Sequence, residues 1–139
     1  MQKAHEPLPQ KTDEVARNIV DAALAVHRAL GPGLLESAYE VCLAHELERR
    51  GHTVAKQTAL PVIYDTVKLD AGYRIDLIVD GAVIVEVKAV ETLVPIHEAQ
   101  VLTYLRLSRL PTGVVNQLQR TASEEWHQTN DLVTFVRAW

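Results

Sequence analysis

Cysteine is nearly absent: Cys42 is the only one among 139 residues. A single thiol excludes an intramolecular disulfide and any cysteine-built zinc cluster, and it suits a reducing cytoplasm. Cys42 itself reads as a small buried hydrophobe on a helix. Long apolar runs are missing too. No stretch approaches the roughly 20 residues needed to cross a bilayer, and the most hydrophobic region is cut by Asp80, Gly81, Glu86 and Lys88. No membrane span is expected. The opening MQKAHEPLPQK is polar, carries two prolines and lacks the apolar segment of a secretory signal peptide, so a cytoplasmic location is expected. Positive charge is not in excess. With 14 Lys and Arg against 18 Asp and Glu, the formal net charge is −4. Nothing draws polyanions to the whole molecule, so nucleic-acid binding would have to come from a local basic patch or through metal ions. Arg49, Arg50, Lys56, Arg106, Arg109 and Arg120 could touch phosphates, but they are scattered along the chain.

What is present describes an ordinary globular chain, 47% hydrophobic and 23% charged. Its length fits one core, with residues 1–12 expected as a flexible tail and residues 13–139 as a single domain. Thr12 can cap a helix whose first turn holds Asp13 and Glu14. Val15, Ile19, Ala22, Ala23, Val26 and Leu30 follow helical spacing up to Gly31-Pro32-Gly33. A second helix is expected from Leu34 to about Arg50, burying Leu35, Ala38, Val41, Cys42 and Leu47 and ending at Gly51. The pattern then turns β-branched and alternating, predicting strands at Thr53 to Thr58, Leu60 to Tyr64, Tyr73 to Val79 and Ala82 to Ala89. Pro95 opens a helix to about Ser108, and Gly113 to Gln117 and Leu132 to Arg137 read as shorter strands. The order ααββββαββ, without repeats, indicates a compact α/β or α+β domain.

The segment from Tyr73 to Lys88 carries the most information. Two strands meet at Asp80-Gly81, a hairpin signal. Side chains alternate, so Ile75, Leu77 and Val79 share one face while Arg74, Asp76 and Ile78 share the other; Val83, Val85 and Val87 likewise oppose Ile84, Glu86 and Lys88. A two-residue turn would mix charged residues with valines. A three-residue loop, Val79-Asp80-Gly81, pairs Ile78 with Ala82 and Asp76 with Ile84, leaving one apolar face and one carrying Arg74, Asp76, Glu86 and Lys88. Adjacent carboxylates repel, and a hard cation such as Mg²⁺ or Mn²⁺ would compensate them, with Lys88 on the same face to position water or stabilise a phosphoryl transition state. The plainer alternative is a solvated face of an edge hairpin, with Arg74 and Lys88 neutralising the pair.

Asp76, nine intervening residues and then Glu86-Val87-Lys88 resembles the bipartite core of the PD-(D/E)xK nuclease superfamily, with Ile75 in place of the nominal proline. Gly33-Leu34-Leu35-Glu36-Ser37-Ala38-Tyr39 resembles the signature of the GxxExxY family, a branch of that superfamily. LGPGLLESAYE, the phrase Gln57 to Tyr64, GYRIDLIVDG, VIVEVKAVE and IHEAQVLTYL are similar in the same order, over roughly residues 15 to 117. The tail departs, reading Val114-Val115-Asn116-Gln117 where similar proteins end a strand on Asn-Phe.

This resemblance implies an α/β, restriction-endonuclease-like fold, a mixed central sheet flanked by helices, that hydrolyses phosphodiester bonds of DNA or RNA. It implies Asp76, Glu86 and the Val87 carbonyl as ligands of Mg²⁺ or Mn²⁺, and Lys88 as the residue that orients the attacking water. Glu36 would approach from its helix, and Gln100 with Tyr104 resembles a supporting QxxxY element. Each has an ordinary reading beside it. The helix dipole alone favours Glu36 in a first turn, and Tyr104 and Gln100, four apart and on one face with His97, can be a core and a surface residue. Tyr39 reads as packing and His27 as buried or capping; His45, His52 and His127 lack metal spacing. Two further expectations stand beside the nuclease: a catalytically silent module that binds nucleic acid or a protein, and a subunit that works as a homo-oligomer or beside a partner.

Overall fold

The computed structural model describes residues 10–31, 34–70, 72–88, 95–110, 112–117 and 133–137. Helix α1 spans Gln10–Leu30, so Thr12 lies within the helix, 7% exposed, instead of capping it. The expected tail of residues 1–12 is therefore helical from Gln10, and residues 1–9 lie outside the described residues. At the far end Gly31 takes a left-handed φ of 71° and its N–H donates to the His27 carbonyl at 2.7 Å, which closes the helix where glycine costs least.

Helix α2 runs Glu36–Arg49 and buries Tyr39, Leu43, Ala44 and Leu47. Leu35 and Val41, expected inside, are 74% and 64% exposed, and Cys42 is half-buried. The reason is Tyr39. Its ring is fully buried and its hydroxyl donates to the Ala23 carbonyl of α1 at 3.1 Å, so the stripe at Tyr39, Leu43 and Leu47 sets the inward face. His27 of α1 is buried as expected, and burial lowers its pKa.

Among the described residues, seven strands follow the helical pair: β1 Val54–Ala59, β2 Val62–Tyr64, β3 Val67–Leu69, β4 Arg74–Val79, β5 Val83–Lys88, β6 Thr112–Gln117 and β7 Val133–Arg137, with α3 Pro95–Ser108 between β5 and β6. The expected strand at Leu60 to Tyr64 is shorter and pairs with β3, a three-residue strand too brief to show alternation. The main sheet has the order β1-β4-β5-β6-β7. Its neighbours are antiparallel except β5 and β6, whose parallel pairing is connected through α3.

Strand β5 is therefore central, and the edge-hairpin alternative does not hold. Leu77, Val79, Val83, Val85 and Val87 pack against α1 and α2, while Ile78 and Ile84 pack with Val101, Leu102, Tyr104 and Leu105 of α3. Every residue from Val83 to Val87 is buried, as a strand covered on both faces requires. Each such Val or Ile contributes about 1.5–3 kcal/mol by leaving water. A mixed sheet with helices on both faces is the restriction-endonuclease-like architecture. Gly113 of β6 lies under α3, where an added Cβ would run into Val101 Cγ1.

The hairpin turn has an odd length, and its position differs from the expectation. Val79 pairs with Val83, Ile78 with Ile84 and Leu77 with Val85, so the loop is Asp80-Gly81-Ala82. Asp80 and Gly81 both sit at positive φ, 52° and 62°, and the Ala82 N–H donates to Val79 at 3.0 Å. Continuing this register brings Asp76 level with Glu86, not with Ile84. Asp80 also ties the turn to the start of β1. Its Oδ1 accepts the Thr53 N–H at 2.8 Å, its Oδ2 meets His52 Nδ1 at 2.6 Å, and its own N–H donates to the Thr53 carbonyl at 2.8 Å.

Asp80→Ala removes two acceptors and places a Cβ residue without turn chemistry at positive φ, so it should cost about 1–3 kcal/mol in urea unfolding. Asp80→Asn should lose less, because it keeps an acceptor and tolerates that conformation. Gly113→Ala should cost a similar ~1–3 kcal/mol by overpacking against α3, read in the same unfolding experiment.

Candidate active site

Regular pairing between β4 and β5 ends at Leu77 and Val85. Beyond it, side chains take over the backbone donors. The Asp76 N–H donates to Glu86 Oε1 at 3.1 Å, and the Val87 N–H donates to Asp76 Oδ2 at 2.9 Å. The ladder on the other side of β4 is interrupted at the same level: Lys56 pairs with Leu77 and Thr58 with Ile75, but Gln57 between them has a φ of 48°. Alternation breaks here as well. Ile75, expected beside Leu77 and Val79, clusters instead with Leu60, Ile84 and Tyr104 on the α3 side. Strand β5 continues straight, because its parallel ladder to β6 runs through Glu86, Val87 and Lys88.

This geometry buries an acid. Glu86 is 3% exposed, and its pKa is pushed up from the ordinary 4.5 to about 8, mainly by burial and then by the Asp76 charge. The Asp76 N–H and Lys88 pull it back in part. Lys88 Nζ stands 4.0 Å from Glu86 Oε2, at the limit of an ion pair. Tyr104 is 8% exposed, and burial, Glu86 and Asp76 all raise its hydroxyl pKa. Its ring centroid lies 6.3 Å from that of Tyr73, tilted by 58°.

A third carboxylate approaches from α2. Gln57 Nε2 donates to Glu40 Oε1 at 2.7 Å and to Asp76 Oδ1 at 3.3 Å. Burial raises the Glu40 pKa, the Gln57 hydrogen bond lowers it, and the charges of Asp76 and Glu36 raise it again.

Of the residues singled out from sequence, Asp76, Glu86, the Val87 backbone, Lys88 and Tyr104 come together. Glu36 occupies the first turn of α2, exposed and within electrostatic reach of Glu40. Gln100 is half-buried on α3, one turn before Tyr104. Glu40, Gln57 and Tyr73 were not foreseen as members. Glu40 was findable, lying four residues after Glu36 and so on the same helical face; the left-handed backbone at Gln57 has no sequence signal. Three of the six candidate phosphate contacts are engaged elsewhere. Arg49 and Arg50 both pair with Glu46, and Lys56 pairs with Glu48, while Arg120 lies outside the described residues.

Among the described residues, no group of three or more His, Cys, Asp or Glu side chains forms a ready cage. The oxygen donors brought together here are the Asp76 and Glu86 carboxylates. An all-oxygen pair without His or Cys suits a hard divalent cation that keeps several of its waters better than it suits zinc.

The sign of the Glu86 shift sets a pH dependence. An acid that holds its proton more tightly folded than unfolded favours folding at low pH and loses that advantage as pH rises from 4.5 to about 8. In a chelating buffer the melting temperature should fall across that window. Glu86→Gln, which keeps an acceptor for the Asp76 N–H, should flatten the slope and melt higher than wild type at pH 8. Parallel slopes for the two proteins would show that Glu86 ionises without penalty.

A family profile described as the PD-(D/E)XK nuclease superfamily matches residues 13–129. No curated protein and no solved structure matches the chain. The profile covers most of the sequence, including the β4–β5 hairpin, α2 and α3. The chain belongs to the PD-(D/E)XK nuclease superfamily.

Proposed function

We propose that this chain is a divalent-metal-dependent nuclease of the GxxExxY type, hydrolysing phosphodiester bonds of DNA or RNA in the cytoplasm as a single domain over residues 13–139. The observation that carries the reading is the paired Asp76 and Glu86, one of them 3% exposed, held where backbone pairing gives way to side chains. A carboxylate this deep is stable as an anion only beside compensating positive charge, and Lys88 at 4.0 Å supplies one charge against two. Asp76, Glu86 and the Val87 carbonyl would hold Mg²⁺ or Mn²⁺. When bound, the cation supplies charge neutralisation and polarisation of a phosphoryl oxygen.

The chain's own groups do the rest. Lys88, with Nζ 4.0 Å from Glu86 Oε2, would donate a hydrogen bond that orients the attacking water and would counter charge growing on the phosphate. Tyr104, whose hydroxyl pKa is raised, remains a donor and supports the carboxylates from the α3 side together with Gln100. Glu36, in the first turn of α2, would approach the same region from its helix.

Purified protein should cleave single-stranded, duplex or branched DNA or RNA with Mg²⁺ or Mn²⁺ and stop with a chelator. Lys88→Ala should reduce cleavage about 10²–10⁴-fold with Mn²⁺ binding retained. Saturating Mn²⁺ at 100 times its Kd should add about 2.7 kcal/mol of stability. Absence of both cleavage and calorimetric metal binding sinks the proposal. Nucleic-acid binding without cleavage would favour the silent module.

A further inference from the structure

We infer that Gln57 is a positioning residue for the Asp76 carboxylate and that Glu40 is the acceptor that orients it. The inference rests on the reading of Asp76 and Glu86 as cation ligands. Its basis is a conflict between local and tertiary structure. Gln57 lies inside strand β1, yet its φ is 48°. Glutamine has no affinity for that region, where a Cβ residue pays about 1–3 kcal/mol. It also leaves the β1–β4 ladder unpaired between Lys56↔Leu77 and Thr58↔Ile75. A strained position persists only where its surroundings fix it.

Three contacts do so. The Gln57 amide nitrogen donates to Glu40 Oε1 at 2.7 Å and to Asp76 Oδ1 at 3.3 Å, and the Gln57 carbonyl accepts from Arg74 Nη1 at 3.4 Å. The amide orientation follows from chemistry, since its oxygen in the same place would face two carboxylate acceptors. Asp76 is then gripped through both oxygens, Oδ1 by Gln57 and Oδ2 by the Val87 N–H at 2.9 Å. A neutral donor between Glu40 and Asp76 also separates two like charges. Partners that hold a ligating side chain typically change metal affinity 10–100-fold when removed.

Glycine separates positioning from structure at this residue, because it suits positive φ and lacks the amide. In a chelating buffer Gln57→Gly should melt at or above wild type. Its calorimetric Kd for Mn²⁺ should nevertheless weaken about 10–100-fold. Gln57→Ala should bind Mn²⁺ as weakly as Gln57→Gly while melting lower. Wild-type Mn²⁺ affinity in Gln57→Gly overturns the inference and leaves the proposed site intact. Wild-type protein that binds no Mn²⁺ overturns both.

Discussion

The structure depends on an exchange at one level of the sheet, where the backbone N–H of Asp76 goes to the Glu86 side chain and that of Val87 goes to the Asp76 side chain. Partly buried backbone donors that lose their ladder partners must find others, at a cost of up to about 1–3 kcal/mol each if they do not. Carboxylates are strong acceptors for this purpose, so opening the strands and placing two acids there are one solution. The same opening keeps carboxylate oxygens clustered at a point where a regular ladder would keep backbone groups paired and side chains apart. Because β5 continues its parallel pairing with β6 through Glu86, Val87 and Lys88, the distortion falls on β4 and β1. Strand β5 thus keeps its regular pairing with β6, while the irregular backbone lies at Gln57 of β1.

Such a site needs both faces of the sheet covered. The valines of β5 pack on α1 and α2, and Ile84 packs on α3, which leaves Glu86 in the same buried run with the interior on each side. Burial raises the Glu86 pKa, and a solvated edge strand would not produce that effect. At the opposite end of the hairpin, Asp80 fixes the turn by bonding Thr53 and His52. A slip of one residue there would put Glu86 on the valine face and break the exchange with Asp76. The turn and the site are therefore coupled through register, although they lie at opposite ends of the same strands.

Much of this was legible, and what was not has physical reasons. Helix α3 begins at Pro95 and ends at Ser108 as its sequence signals indicate, because proline at a first helical position is a strong local cue. The odd turn followed from alternation alone. Its placement at Asp80-Gly81-Ala82 did not, because both left-handed residues fall in the middle of the turn and Ala82 becomes the extra one. The inward face of α2 does not follow from hydrophobicity, because Val41 and Leu35 are more apolar than Tyr39, whereas a buried partner at the Ala23 carbonyl decides which side turns in. Glu86 and Asp76 were visible as a pair. Gln57 was not, since its conformation comes from contacts with Glu40, Asp76 and Arg74 on other elements.

The electrostatics bear on how an acidic chain could handle a polyanion. The net charge is −4, and Arg49, Arg50 and Lys56 are already paired with Glu46 and Glu48. At the site, Asp76 and Glu86 with Glu40 nearby outnumber Lys88. Phosphate approaching these acids meets repulsion of about 4 kcal/mol per unit charge at 4 Å for an effective dielectric of 20. On the proposed reading, a divalent charge between the carboxylates reverses the sign of that local field, while the distant field remains screened within about 8–10 Å. Affinity for nucleic acid would then be governed at the site itself and not by the surface as a whole. On the same reading, the features that bury Glu86 and fix Asp76 would also decide when a phosphate can approach.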